Sequence, residues 1–430
     1  MKKTLGPNRM KHSLISPKKY FRTMLWILIA TLLPACGLGD LLRRNPDDQR
    51  YLDRTQQYFS NLKGGIQMAR FGRVNRDSLS DLLILRSSRS GRPGVQVWIN
   101  QEGKEFTLNK RPGWVGKKQD RVVFMAVRDL DRDRTSDMIL VGKFADGSNA
   151  RLLFNNGKGY FYIKTERPFP EVRSGMERVD LVDMDGDGDV DLFFTGKNVL
   201  DGQGKPLSHQ AQFFLNDGTG QFSDATFLLL PPSRPGIVGT AFADYDSDGA
   251  VDVFLIYDNG FNGLLINNGV GKFIDKSRTF LPHLSDASAH ADWADFDGDG
   301  DNDLLVANKS IPARDRSHAN EFNYMLVNQG HGYFKKGPLR VLPQYPSRAV
   351  YLLDANGSEI PDIIILSSRG IHYLQGRGKW KFWKESRRRL PENVSFQELI
   401  FADVNDDDYL DIFGITTEGG MGKLWINHFD

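Results

Sequence analysis

Apolar residues in this chain come in short runs, alternating or continuous, and each run is cut off by Asp, Asn, Gly or Pro. That rhythm predicts β-strands bounded by tight turns. Beyond residue 35 no window carries a capped apolar period of 3.6 residues, so the expected class is all-β. An apolar run, an Asp-rich loop and a second apolar run starting at the loop's last Asp recur as LVDMDGDGDVDLFF from Leu181, FADYDSDGAVDVFL from Phe242, WADFDGDGDNDLLV from Trp293 and FADVNDDDYLDIFG from Phe401. The same spacing persists with weaker chemistry in RDLDRDRTSDMIL from Arg128, LDANGSEIPDIII from Leu353 and GRVNRDSLSDLLIL from Gly72. The first loop positions are Arg73, Asp129, Asp183, Asp244, Asp295, Asp354 and Asp403, separated by 56, 54, 61, 51, 59 and 49 residues. Seven such units account for the chain from residue 50 to residue 430.

A second element keeps register with the first. It reads LLFNNGKGYF from Leu152, FFLNDGTGQF from Phe213, LLINNGVGKF from Leu264 and MLVNQGHGYF from Met325, with looser versions from Val97 and Tyr373. Asn-Gly and Gly-x-Gly between apolar runs predict hairpins, because these residues tolerate positive φ. Each unit therefore reads strand, Asp loop, strand, connection, strand, Gly hairpin, strand. Four short antiparallel strands make a propeller blade, so the expected fold is a seven-bladed β-propeller. The last unit ends at Leu424-Trp425-Ile426-Asn427, before a fourth strand. Phe222 and Phe273 each precede the next loop's Ala243 or Ala294 by 21 residues, and counting 21 back from Gly72 reaches Tyr51. Tyr51-Leu52-Asp53-Arg54-Thr55 is similar to Phe222-Ser223-Asp224-Ala225-Thr226. An N-terminal strand is therefore expected to complete the last blade and leave no open edge.

The strong loops place Asp at positions 1, 3, 5 and 9 and Gly at position 6. Alternate positions of a tight loop aim carboxylates at one centre, and a backbone carbonyl at position 7 adds another oxygen. Calcium takes six to eight oxygens, whereas magnesium demands stricter octahedral geometry. An EF-hand would need Glu at position 12 and flanking helices, but position 12 is Phe194, Leu255, Val306 or Gly414, each inside an apolar strand. A solvated acidic turn is the alternative, opposed by the mutual repulsion of carboxylates crowded into one loop.

DxDxDGxxD followed by an apolar strand, with NxGxGxF downstream, resembles the FG-GAP/VCBS repeats of integrin α-chain propellers and bacterial surface proteins. The resemblance implies calcium at four loops. Asp183, Asp185, Asp187 and Asp191 would bind with the carbonyl of Asp189, and Asp244, Asp246, Asp248 and Asp252 with that of Ala250. Asp295, Asp297, Asp299 and Asp303 would bind with the carbonyl of Asp301, and Asp403, Asn405, Asp407 and Asp411 with that of Tyr409. Asp129, Asp131, Asp133 and Asp137 make a fifth candidate site, although Arg134 replaces the glycine and Arg132 adds charge. The loop at Asp354 keeps too few carboxylates. At Arg73 the guanidinium is expected to stand in for the ion beside Asp77 or Asp81.

The first 35 residues hold seven basic residues and no acidic one, and an apolar stretch from Met24 to Leu33 leads to Pro34-Ala35-Cys36. This pattern predicts a signal peptide over 1–35. Leu33-Pro34-Ala35-Cys36 resembles a lipobox, which implies a lipid on Cys36 and a linker over 36–49; an ordinary signal peptide with an incidental cysteine is the alternative. Cys36 is the single cysteine, so no intrachain disulfide can form. Without 1–35 the chain has 49 basic and 54 acidic residues, a net −5 that does not suggest a nucleic-acid partner. The expected location is the cell envelope, lipid-anchored.

Neither HExxH, GxSxG nor GxxxxGK[ST] occurs. The expected function is a non-catalytic binding or adhesion module; an enzyme acting on extracellular polysaccharide and a structural subunit of an envelope complex are the alternatives. Strand alternation puts Asp loops and Gly hairpins on one face and the remaining connections on the other. Those connections carry Arg173, Arg234, Arg314, Arg316, Arg340 and the run Arg387-Arg388-Arg389, so a basic face for an anionic glycan, lipid headgroup or protein is expected.

Overall fold

The computed structural model describes residues 49–429 apart from 88–92, 259, 283, 285–286, 311–322, 331–332 and 338–341. The expected signal peptide 1–35, Cys36, the linker up to residue 48, and Arg314, Arg316 and Arg340 lie outside the described residues. Within them, seven four-stranded antiparallel sheets form a ring of blades. Blade three shows the pattern, with strands Arg178–Val182, Asp191–Thr195, Ala211–Asn216 and Phe222–Asp224 in spatial order. First strands line the axis and pack against those of neighbouring blades. Second strands such as Asp252–Tyr257 and Asp362–Ser367 are buried throughout. A strand covered on both faces has no solvent side, which is why these read as continuous apolar runs.

The core lies between blades. Phe194 joins Leu152 and Phe154 of blade two, while its neighbour Phe193 joins Val253, Leu255 and Phe273 of blade four. Successive side chains of a strand point to opposite faces, so one blade serves two cores. Burying each such phenylalanine contributes about 1.5–3 kcal/mol. In six of the seven blades the first strand carries a register shift, for example between Ser288 and His290. Such bulges add the local twist that a strand beside the axis requires. The axis itself is polar: Arg70 pairs with Glu398 at 2.7 Å, and Arg178 pairs with Asp180 at 3.0 Å. Burial and the neighbouring Arg178 hold His290 neutral, with its pKa lowered to about 3, while burial pushes Asp292 up to about 7.

The ring closes as expected. Gln49–Asp53 pairs antiparallel with Gly422–Phe429, the third strand of blade seven, with Tyr51 opposite Asn427 and buried. Among the described residues, one-turn helices follow the outer strand in four blades, at Thr55–Tyr58, Thr226–Leu229, Ser277–Phe280 and Ser386–Arg389. Their first hydroxyls accept third-strand N–H groups: Thr55 from Leu424 (2.9 Å), Thr226 from Phe213 (3.0 Å), Ser277 from Leu264 (2.9 Å) and Ser386 from Tyr373 (2.9 Å).

The last of these helices corrects one expectation. Arg387 and Arg388 are exposed, but Arg389 is fully buried, and its guanidinium donates to the Gln49 carbonyl and to Gln375 Oε1 (3.0 Å). A helix turns about 100° per residue, so three successive arginines cannot share one surface. Arg389 is an interior residue that ties blade six to the closing strand.

Candidate metal centres

Each Asp loop is folded by its own carboxylates. In blade three, Asp183 accepts the N–H groups of Gly186 (2.9 Å) and Gly188 (3.0 Å). Asp244 of blade four accepts those of Asp248 and Gly249, both at 3.0 Å, and Asp295 of blade five those of Gly298 (2.7 Å) and Gly300 (3.0 Å). At position 5, Asp187, Asp248 and Asp299 hold the N–H groups of Asp189, Ala250 and Asp301. Position 6 lies in the left-handed region, at φ 88° for Gly188 and 97° for Gly300; Asp408 takes it at 69° in blade seven and Arg134 at 71° in blade two. A non-glycine residue pays roughly 1–3 kcal/mol for that conformation.

Carboxylate oxygens gather within 4.8 Å of one another in four loops: Asp129, Asp131 and Asp137; Asp183, Asp185 and Asp191; Asp244, Asp246 and Asp248; Asp295, Asp297 and Asp299. Burial first, and then the next carboxylate in the loop, raises the pKa of Asp185, Asp246 and Asp297. Several hard oxygens crowded against their own repulsion fit a cation such as calcium, which would relieve that repulsion. Blade seven offers a mixed set. Burial pushes Asp403 up to about 6, and Asn405 Oδ1 is buried without a hydrogen-bond partner. In blade two, Lys164 already lies 2.6 Å from Asp131. Arg132 of that loop reaches across to Asp189 of the next, at 2.5 Å. Blade one departs from expectation: Asn75 Nδ2, rather than Arg73, holds Asp77 (2.6 Å), and Asp81 is occupied by backbone N–H groups. Asp77 still acts on the Arg73 guanidinium through its charge, but burial outweighs it and lowers the guanidinium's pKa, and the hydrogen bond to Asp77 comes from Asn75.

Position 9 does more than the sequence suggested. Asp81, Asp137, Asp191, Asp252, Asp303, Asp362 and Asp411 are all at most 1 % exposed. One oxygen of each accepts the position-2 N–H of its own loop at 2.9–3.2 Å. The other accepts an N–H from the end of the third strand at 2.7–2.9 Å. In six blades that second donor is the hairpin Asn, whose side chain then reaches the position-2 carbonyl of the preceding blade at 2.6–3.0 Å, from Asn155 to Val74 through to Asn100 and Val404. Blade six has Gly376 instead, and the Trp380 N–H takes over at Phe296 (3.2 Å). Burial raises these carboxyls to about 7 at Asp81, Asp191 and Asp362 and about 8 at Asp137, Asp252 and Asp303, against the lowering effect of the two N–H donors. A carboxylate oxygen has two lone pairs, so a latched Asp can still face an ion.

A closed ring of seven four-stranded blades, each with a loop between its first two strands that ends on a buried Asp, defines the molecule as a β-propeller. Its repeats are FG-GAP-like, and the model of that family matches residues 129–194 and 244–306. No curated protein matches the sequence. Among solved structures, an Agrocybe aegerita lectin that recognises non-reducing terminal N-acetylglucosamine is similar with 15% identity and a TM-score of 0.50, over 85% of this chain and 86% of that one. BBS1N, in complex with ARL6DN, is similar with 12% identity and a TM-score of 0.54, over 87% and 96%. At such identities the likeness extends to the fold.

Proposed function

We propose that the chain is an envelope lipoprotein, anchored through Cys36, whose calcium-stabilised propeller is a non-catalytic binding and adhesion module for an anionic partner. The observation that carries this reading is a set of arginines laid over aromatic rings on the face opposite the Asp loops. Arg173 lies over Phe227 (4.8 Å), Arg234 over Tyr257 (3.6 Å) and Arg369 over Tyr345 (4.2 Å). Phe227 and Leu228 beside them are 73% and 74% exposed. A guanidinium on an aromatic shelf is oriented and partly desolvated, and its outer edge suits a carboxylate, sulfate or phosphate. The exposed Arg387 and Arg388 extend the same face. A lectin of similar fold recognises a sugar, and an acidic glycan is the partner class this reading favours.

The test is retention on immobilised acidic and neutral polysaccharides, with released fragments measured in parallel. Retention on the acidic polymers, weakening as salt rises and lost on replacing Arg173, Arg234 and Arg369 with Gln, supports the reading. Release of fragments would mark an enzyme, and salt-independent retention would reject the basic face. Lipid labelling that survives Cys36→Ser would reject the anchor.

A further inference from the structure

The acidic loop of blade two has the backbone of a cation site and a cation of its own. Oxygens of Asp129, Asp131 and Asp137 converge within 4.8 Å, as in blades three to five. Lys164 Nζ, however, lies 2.6 Å from Asp131 Oδ2, with the two side chains only 15% and 13% exposed. The same ammonium stands 3.8 Å from the centre of the Phe154 ring, and an Arg167 guanidinium nitrogen lies 3.9 Å from the same oxygen. The other oxygen, Asp131 Oδ1, is buried without a hydrogen-bond partner. A calcium ion here would meet two positive side chains in a partly desolvated setting, where charges of like sign repel far more than in water.

The sequence explains how Lys164 comes to be there. Blades three and four continue from the closing aromatic as Phe222-Ser223-Asp224-Ala225-Thr226 and Phe273-Ile274-Asp275-Lys276-Ser277, and the Asp binds the N–H of the Thr or Ser that opens the one-turn helix. Blade two reads Phe161-Tyr162-Ile163-Lys164-Thr165, with Ile163 where that Asp should be. Its outer strand is only Phe161–Tyr162, and the following chain lies against the hairpin of blade three, where Arg167 donates to the Thr219 carbonyl. Lys276 stands at the equivalent position of blade four, but its ammonium lies 5.9 Å over the Phe280 ring.

We propose that the blade-two loop takes no metal ion and that Lys164 serves as its built-in cation, leaving calcium to the other acidic loops. The ion count rests on the calcium reading above; the Lys164–Asp131 coupling does not. The test uses the full chain carrying Lys164→Met, Asp131→Asn, both changes together, or Lys164→Arg. Calcium per chain is measured by equilibrium dialysis, and melting temperature is measured in chelator. Asp131→Asn should leave the ion count unchanged, Lys164→Met should raise it by one, the double change should return it to the parent value, and Lys164→Arg should keep it there. In chelator the two single changes should each lower the melting temperature, and their combination should lower it by less than the sum. Loss of one ion in Asp131→Asn, or strict additivity in chelator, overturns the proposal. A parent chain that takes no calcium would sink the calcium reading instead, and the cycle in chelator would then decide the role of Lys164 alone.

Discussion

Asp81 belongs to a loop with too few carboxylates to hold an ion, yet its side chain is as buried and as fully bonded as that of Asp252. The position-9 carboxylate is therefore a latch first. Asp81→Ala strands the N–H groups of Val74 and Asn100, at about 1–3 kcal/mol each. Urea unfolding should show that loss equally with calcium and with chelator. Asp187 is exposed and holds only its own loop, so Asp187→Ala should lower stability in calcium and leave the chelated protein nearly unchanged. A calcium-dependent penalty for Asp81→Ala would contradict the division of labour. The latch residue itself stood in the sequence, because position 9 is Asp in all seven units, even where Arg73 replaces the Asp of position 1 or Ser358 that of position 5. What hid it was chemistry shared with metal ligation: the same residue type serves both tasks. The hairpin asparagines were hidden in another way. Asn155 reads as a turn former, and its Oδ1 does accept the N–H groups of Gly157 and Gly159, but its Nδ2 has a second task on the neighbouring blade, at the Val74 carbonyl.

Strand order, hairpins and the closing strand follow from period and spacing, since a pleated strand covered on both faces admits little but apolar residues. One-turn helices do not, because four residues carry no period to read. That is why the arginine run looked like a continuous basic patch. Arg389→Gln should cost about 1–3 kcal/mol for each acceptor left unpaired, the Gln49 carbonyl and Gln375 Oε1, whereas Arg387→Gln should change stability by about 0.5 kcal/mol or less. Thermal unfolding of the two variants separates the cases, and equal effects would refute the buried assignment. Removing Gln49–Asp53 exposes the edge of Gly422–Phe429, and size-exclusion chromatography should then show self-association. A truncated chain that stays monomeric and melts with the parent would refute closure by that strand.

For the propeller as a whole, protons and the proposed calcium ions would act on the same carboxylates. A ligand that binds only the folded state adds about 2.7 kcal/mol per site at a hundredfold excess over Kd, so chelator should lower the melting temperature and calcium restore it. Six latch carboxyls have folded pKa values near 7 or 8 and burial raises Asp411 as well, all above their unfolded range, so the folded state binds more protons in that window. Stability in chelator should therefore fall as pH rises from about 4 to 8, and calcium should flatten the fall. A chelated protein that gains stability over that range would contradict the buried latches. The closing strand has a mechanical consequence too. Gln49 stands opposite Phe429, where the third strand of blade seven reaches the Asp-loop face, so the closing strand begins at that face while the arginine–aromatic shelves point away from it; a proposed tether would pull from there. Tension between a tether and a partner held on the far face would run along Gln49–Asp53. Its five register pairs, Gln49 with Phe429 through Asp53 with Trp425, would be loaded together in shear instead of being peeled one by one.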